Sequence, residues 1–180
     1  LARRLAKQYR FAHLDTGRLY RGVAWRVIQT GTDPLQEAAC AALAGALEAH
    51  TLDSPDLRSE AVGRMASRIS AYPAVRQALL DYQRRFMVHP PGGARGAVLD
   101  GRDIGTVIAP GARAKLFVTA GVEERARRRH KELLDQGSEA IYAAVLKDLA
   151  ERDARDTSRA TSPLIRAADA FLLDTTSMDV

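Results

Sequence analysis

Four short apolar runs constrain this chain more than any other feature: FAHLD (11–15), GAVLD (96–100), AKLFVTA (114–120) and DAFLLD (169–174). Runs of this length bounded by turns read as buried strands, and the stretches between them repeat apolar residues at helical spacing. Strands alternating with helices require a layered α/β fold with a parallel sheet. In such a sheet, ligands collect where the carboxyl ends of the strands open into turns. Three of the runs end in that way, as HLD-TG, VLD-GRD and FVT-AG.

Leu1, Ala2, Leu5 and Ala6 sit at helical spacing among basic residues and predict an amphipathic helix over 1–10. Thr16-Gly17 turns into a helix through RLYRGVAWRVIQTG, stopped by Gly31, and Asp33-Pro34 starts an alanine-rich helix that ends near His50. Ser54-Pro55-Asp56 starts DLRSEAVGRMASRIS. Pro73 opens the next helix, whose stripe of Val75, Leu79, Tyr82 and Phe86 stops before HPPGG (89–93). The third strand leads into VEERARRRHKELLDQG, and a long helix begins near Glu139.

The 180 residues, 46% of them apolar, suit one globular domain over 1–180. No apolar run nears the roughly 18 residues of a membrane span. LARRLAKQYR lacks the apolar core of a secretory signal, so the expectation is a soluble, cytoplasmic protein. The single cysteine, Cys40, excludes a disulfide framework and is expected as a small core residue, and the four scattered histidines have no metal-ligand spacing. A net charge of +5 suits an anionic partner: a nucleotide, another phosphorylated molecule or nucleic acid. Apart from Lys7, Lys115, Lys131 and Lys147 the basic residues are arginines, whose planar fork matches phosphate oxygens in pairs. An aromatic content of 6% weighs against the stacking platform of a nucleic-acid-binding module.

AVLDGRDIGT (97–106) gathers Asp100, Arg102 and Asp103 around one glycine at a strand end. A carboxylate there can hold a metal-bound water, Arg102 can clamp a phosphate, and Asp103 can accept from a base amino group. A capping Asp with a paired Arg explains the same spacing. In ERDARDTSR (151–159), Arg152, Arg155, Asp156 and Arg159 share one helical face, where guanidiniums repel unless an anion sits among them. The alternative is a solvated face laced by Glu151–Arg155 and Arg152–Asp156 pairs, each contributing about 0.2 to 0.5 kcal/mol. Arg125, Arg128 and Arg129 make a second one-sided cluster, which by itself reads as a surface helix with Glu123 and Glu124 in its first turn and together with the first cluster suggests arginine walls around a polyphosphate. Thr16 offers a hydroxyl at a helix N-terminus with Arg21 on the same side, or is merely an N-cap. Ser67 and Arg76 carry no signal by spacing and read as core-edge packing.

Taken in order, HLDTGRLYR, SAYPAVRQALL, VLDGRDIGTVIAP, KLFVTA, EERARRR and ERDARDTSRATSPLIRAADAFLLDTT resemble the bacterial cytidylate kinase family along essentially the whole chain. The DGRDIGT and ERDxRDxxR blocks are specific to that family among nucleoside monophosphate kinases. The resemblance implies a P-loop kinase fold, a parallel sheet with helices on both faces. It further implies a small helical nucleoside-monophosphate-binding region over 32–90 and an arginine-rich lid on the helices of 121–160. The implied reaction moves the γ-phosphoryl of ATP, with Mg²⁺, to CMP or dCMP, in a monomer without a tightly bound cofactor. A related kinase acting on UMP, AMP or another small acceptor is the competing reading, with a basic nucleic-acid-binding module behind it.

By the same resemblance, Thr16 and Arg21 lie near the CMP sugar and phosphate, and Ser67, Arg76 and Asp103 read the cytosine edge. Arg102 and Arg159 clamp phosphates, Arg152 and Asp156 surround the ribose and the transferring phosphate, and Arg128 stands on the lid near ATP; Asp100, by its place at the strand end, is the candidate for metal-bound water. Two departures accompany it. The family's phosphate loop, Gly-x-x-x-x-Gly-Lys-Gly/Ser-Thr, does not occur in the sequence, and Leu1 matches the position after its threonine. The chain is therefore expected to be an internal fragment, inactive alone, that stops at Val180 where the family has a closing helix. In addition, TLDSPDLRSE (51–60) stands where many members carry a small three-stranded insert, so the monophosphate region is expected to be helical.

Overall fold

Ala12–Asp15 (β1) and Ala97–Asp100 (β2) pair in parallel, with Ala12 opposite Ala97 and Asp15 opposite Asp100. Leu116–Thr119 (β3) and Phe171–Asp174 (β4) form a second parallel pair, with Thr119 opposite Asp174. This computed structural model describes residues 1–158 and 162–178, and the chain divides into two compact units, 1–104 with the first pair and 105–180 with the second. Parallel pairing through helical connections is the arrangement that the alternation of short apolar runs and helices required. Each strand is shorter than the run that marked it, because the flanking residues already turn into the connections.

In the first unit, Ala2–Tyr9 (α1) closes on Arg10, whose left-handed φ of 56° turns the chain into β1. Thr16–Gln29 (α2) leaves β1 directly, and its cap is Asp15 rather than Thr16: the carboxylate accepts from Arg18 N at 3.3 Å. The alanine-rich helix, Glu37–Gly45 (α3), is shorter than expected. At its front Asp33 Oδ1 accepts from Leu35 N at 2.9 Å and holds Pro34 in a turn. Two 3₁₀ turns, Ala49–Asp53 and Pro55–Arg58, follow Gly45. The helix expected from Ser54 thereby splits, and Glu60–Ile69 (α4) starts on Ser59, whose hydroxyl accepts from Val62 N at 3.4 Å. Pro73–Val88 (α5) opens on its proline as expected.

The core of this unit is built on Leu14 of β1, Leu19, Val23 and Val27 of α2, Cys40 of α3, Val62 and Ile69 of α4, and Val75 and Leu79 of α5. Tyr82 and Phe86 pack against it half-buried, completing the expected stripe. Cys40 is fully enclosed, and its burial pushes the thiol pKa up. The native protein should therefore leave a disulfide reagent such as DTNB unreacted over the time in which the urea-unfolded chain reacts completely. Rapid native labelling would contradict the packing around α3.

In the second unit, β3 leads into Val122–Asp135 (α6), and Tyr142–Ser158 (α7) follows a turn at Gly137, φ 79°. The turn is held by His130, whose Nε2 lies 2.9 Å from Ala140 O and whose ring meets Tyr142 edge-on. That turn is why α7 starts after Glu139. Ahead of the second strand pair, Lys115 Nζ donates to both oxygens of Asp169, at 2.9 and 2.7 Å. This hydrogen bond holds the Asp169 carboxyl below the usual carboxylate range. A depressed carboxyl pKa stabilises above the unfolded value, and the contribution disappears as pH falls through the folded value. Thermal unfolding of the protein should thus lose the pair's contribution below about pH 4, and Asp169→Asn should flatten that acid limb. An unchanged acid limb in the variant would remove Asp169 from the account.

Candidate functional site

In the β1–β2 register, His13, Asp15, Val98 and Asp100 share one face of the pair, while Leu14 and Leu99 turn to the core. The carboxyl ends therefore present polar side chains together. Thr16, almost fully buried, donates its hydroxyl to Asp100 O at 2.8 Å and ties the start of α2 to the end of β2. Asp100 in turn lies with Oδ1 2.9 Å from His13 Nε2, and half of its side chain is exposed. His13 escaped the sequence reading, since it was one of four scattered histidines. Its signal was the strand alternation, which puts residues 13 and 15 on one side once the register with residues 98 and 100 is known.

Gly101 follows directly. A Cβ there would overlap Thr16 Oγ1 and come within 2.9 Å of Ile104 Cδ1. The glycine is needed for this close approach rather than for a special φ. Gly101→Ala should cost about 1 to 3 kcal/mol, as overpacking of a tight site does. Urea unfolding of the variant measures it, and a neutral result would contradict the contact with Thr16.

The charged residues beyond Gly101 diverge. Arg102 is exposed, whereas Asp103 is buried against Arg76 of α5, Arg76 Nη2 donating to Asp103 Oδ2. The other arm of Arg76 donates to Ser70 O at 3.0 Å, and its guanidinium lies 5.4 Å from the centre of the Tyr20 ring. Ser70 Oγ donates to Ser67 O at 3.0 Å, linking Ser67 to the same network. The Ser67 hydroxyl itself is buried without a hydrogen-bond partner among the described residues. Spacing marked Ser67 and Arg76 only as core-edge packing. The fold instead joins Arg76 to Asp103, across 27 positions of sequence, in a buried ion pair.

Arg21 donates to Leu57 O at 2.7 Å and packs over Gly63 of α4. Arg18, which the sequence did not single out, donates to Leu52 O. Arg18 and Arg21 of α2 thus anchor the turns that follow α3.

In the second unit, the expected arginine wall on α6 is neutralised. Arg127 and Arg128 pair with Glu124, Arg129 with Glu132 and Arg125 with Asp153, at 2.7 to 2.9 Å. Arg128 also donates to Thr175 Oγ1 at 3.1 Å and to the carbonyls of Thr175 and Met178 at 2.5 and 2.9 Å. It binds α6 to the segment after β4. Glu124, in the first turn of α6, supplies the counter-charge for two arginines one helical turn on, and Glu132 and Asp153 supply the others. On α7, Arg152 Nε stands 3.9 Å from Asp156 Oδ2 and Arg155 Nη1 3.9 Å from Glu151 Oε2, so both pairs of the solvated-face alternative exist at long range. Asp156 is nonetheless buried. Arg159 lies outside the described residues.

Among the described residues no cluster of three or more His, Cys, Asp or Glu side chains forms a metal cage, and no helix is long and apolar enough to cross a membrane. Known proteins that resemble the chain bear on what the site belongs to. A family profile described as cytidylate kinase matches residues 1–180. The cytidylate kinase of Rhodospirillum rubrum is 55% identical over 178 residues, covering 99% of this chain and 84% of that protein. Those of Paramagnetospirillum magneticum and Xanthobacter autotrophicus are each 52% identical, covering 99% and 100% of this chain and 84% of each protein. Identity of that order along the whole length, over a mixed α/β fold of parallel strands with polar carboxyl ends, settles the kinship: the chain belongs to the cytidylate kinase family.

Proposed function

We propose that this chain works in a nucleotide kinase that transfers the γ-phosphoryl of ATP to CMP or dCMP, giving CDP or dCDP. The observation that carries the reading is the buried Arg76–Asp103 pair, linked through Ser70 to the backbone carbonyl of Ser67, whose own hydroxyl is buried without a partner among the described residues. Cytosine presents an amino donor at N4 and acceptors at N3 and O2. The carboxylate of Asp103 suits the donor, and the Ser67 hydroxyl and Arg76 guanidinium suit the acceptors. Uracil would turn a carbonyl toward Asp103 and leave buried polar groups unpaired, at about 1 to 3 kcal/mol each.

In this reading Thr16 and Arg21 serve the CMP sugar and phosphate, and Asp156 the ribose. Arg102, Arg152 and Arg159 are the phosphate and transition-state clamps, holding donor and acceptor in line while neutralising the equatorial oxygens. Arg128 stands on the ATP side. The helices within 32–90 form the monophosphate-binding region and those within 121–160 the lid. Mg²⁺ would supply charge neutralisation between the phosphates. The single half-exposed carboxylate of Asp100 suits an ion that keeps most of its waters and takes its other ligands from phosphate. The working unit is a monomer in the cytoplasm, the first of which light scattering of the purified chain tests directly.

The decisive assay uses a protein extended upstream of Leu1 by the family's glycine-rich phosphate loop. ATP-dependent turnover of CMP and dCMP should exceed that of UMP by about 100-fold, and Asp103→Asn should narrow the gap to about tenfold or less. Equal rates on CMP and UMP in the unmutated protein would sink the assignment of Asp103 as the cytosine reader.

A further inference from the structure

Arg125 of α6 makes three connections. Its Nη1 lies 2.7 Å from Asp153 Oδ2 of α7, its Nε donates to Ala120 O at 2.8 Å, and its backbone N–H donates to Gly121 O at 3.0 Å. Ala120 is buried and follows the last residue of β3. One guanidinium therefore joins the carboxyl end of β3 to the later half of α7.

What α7 packs with changes along its length. Val145 is buried and Leu146 and Leu149 are half-buried, but the next residues turned inward are Arg152, Asp153 and Asp156. Beyond Leu149, apolar packing no longer sets the rotation of the helix about its axis, and charge has to. Successive residues of a helix are rotated by about 100°, so a restraint on Asp153 fixes the directions of Arg152 and Asp156 on either side of it. The bridge is not there chiefly for stability: its side chains are 34% and 29% exposed, where such pairs contribute only about 0 to 1 kcal/mol.

We propose that Arg125 and Asp153 are a positioning pair, which sets the rotation of α7 and so aims Arg152 and Asp156 without touching substrate. The inference rests on the reading of those two residues as ribose and phosphate ligands. A displacement of about 1 Å at a phosphoryl-transfer site is enough to cost about 100-fold in rate.

The test measures kcat, KM for CMP and the thermal midpoint in the same phosphate-loop-bearing protein. Asp153→Ala should lower kcat by about 10- to 100-fold, with KM changed by less than about threefold and the midpoint by less than about 4 °C. Asp153→Glu, which keeps the charge and can still reach Arg125, should recover most of the lost kcat. A kcat within twofold of the parent, a loss that follows a collapse of the midpoint, or no recovery with glutamate each overturns the positioning role. Arg152→Ala separates the two layers. If it abolishes turnover while Asp153→Ala does not, only the positioning role falls, and if neither matters, the site reading falls with it.

Discussion

Asp103→Ala is expected to destabilise the first unit by about 3 to 5 kcal/mol, the cost of leaving a buried cation without its counter-charge. Arg76 and Asp103 are 8% and 6% exposed at their side chains, so water cannot replace the missing carboxylate. The remaining contacts of the guanidinium, Ser70 O and the face of Tyr20, do not carry a full negative charge. Replacing both partners by apolar residues of similar bulk, Arg76→Met with Asp103→Leu, should recover most of that loss, because removing the pair also removes its desolvation cost. CMP binding should stay lost in the double variant. Urea unfolding and equilibrium dialysis with CMP read the two effects separately. A single-variant cost below about 1 kcal/mol, the range of exposed pairs, would mean that the charges are not desolvated.

Leu19→Ala should be as damaging, at about 3 to 5 kcal/mol, through a different mechanism. Leu19 is fully buried, one turn into α2, among the side chains contributed by β1, α3, α4 and α5. Truncation there removes apolar contacts and leaves a cavity that these elements cannot close without moving together. Ile28, on the same helix but 41% exposed, provides the comparison: Ile28→Ala should cost no more than about 1 kcal/mol. The urea midpoints should differ accordingly at a similar slope. Equal effects at the two positions would contradict the orientation of α2.

Between them these two sites show where local reading succeeds. The helical repeat alone placed Leu79 and Val75 of α5 in the core, because burial follows a local period. The boundaries were less legible. Asp15 took the cap expected of Thr16, and Ser59 began the helix expected from Ser54, since several residues of similar capping chemistry stood close together. The chain length between them, and packing on α2, decided which one was used.

The charged residues divide in the same way. On α6, Arg125, Arg128 and Arg129 made a one-sided cluster by spacing, yet each meets a carboxylate, a single turn away or, for Arg125, on another helix. Composition reports how many charges exist and not which are already compensated. The arginines of ERDARD likewise stand beside Asp156 and Glu151, though at 3.9 Å, and they and the arginine of DGRD were marked by motif rather than by count.

The amino-acid sequence by itself determined the class of fold, the strand ends as the place for polar chemistry, and the family, because each depends on local period or on motifs contiguous in the chain. Only the tertiary structure decided that Asp103 meets Arg76, that Gly101 makes room for Thr16, that His13 stands by Asp100 and that Arg125 grips Asp153. Those pairings join residues up to 87 positions apart, and no local pattern encodes a partner brought near by the register of parallel strands and the packing of helices.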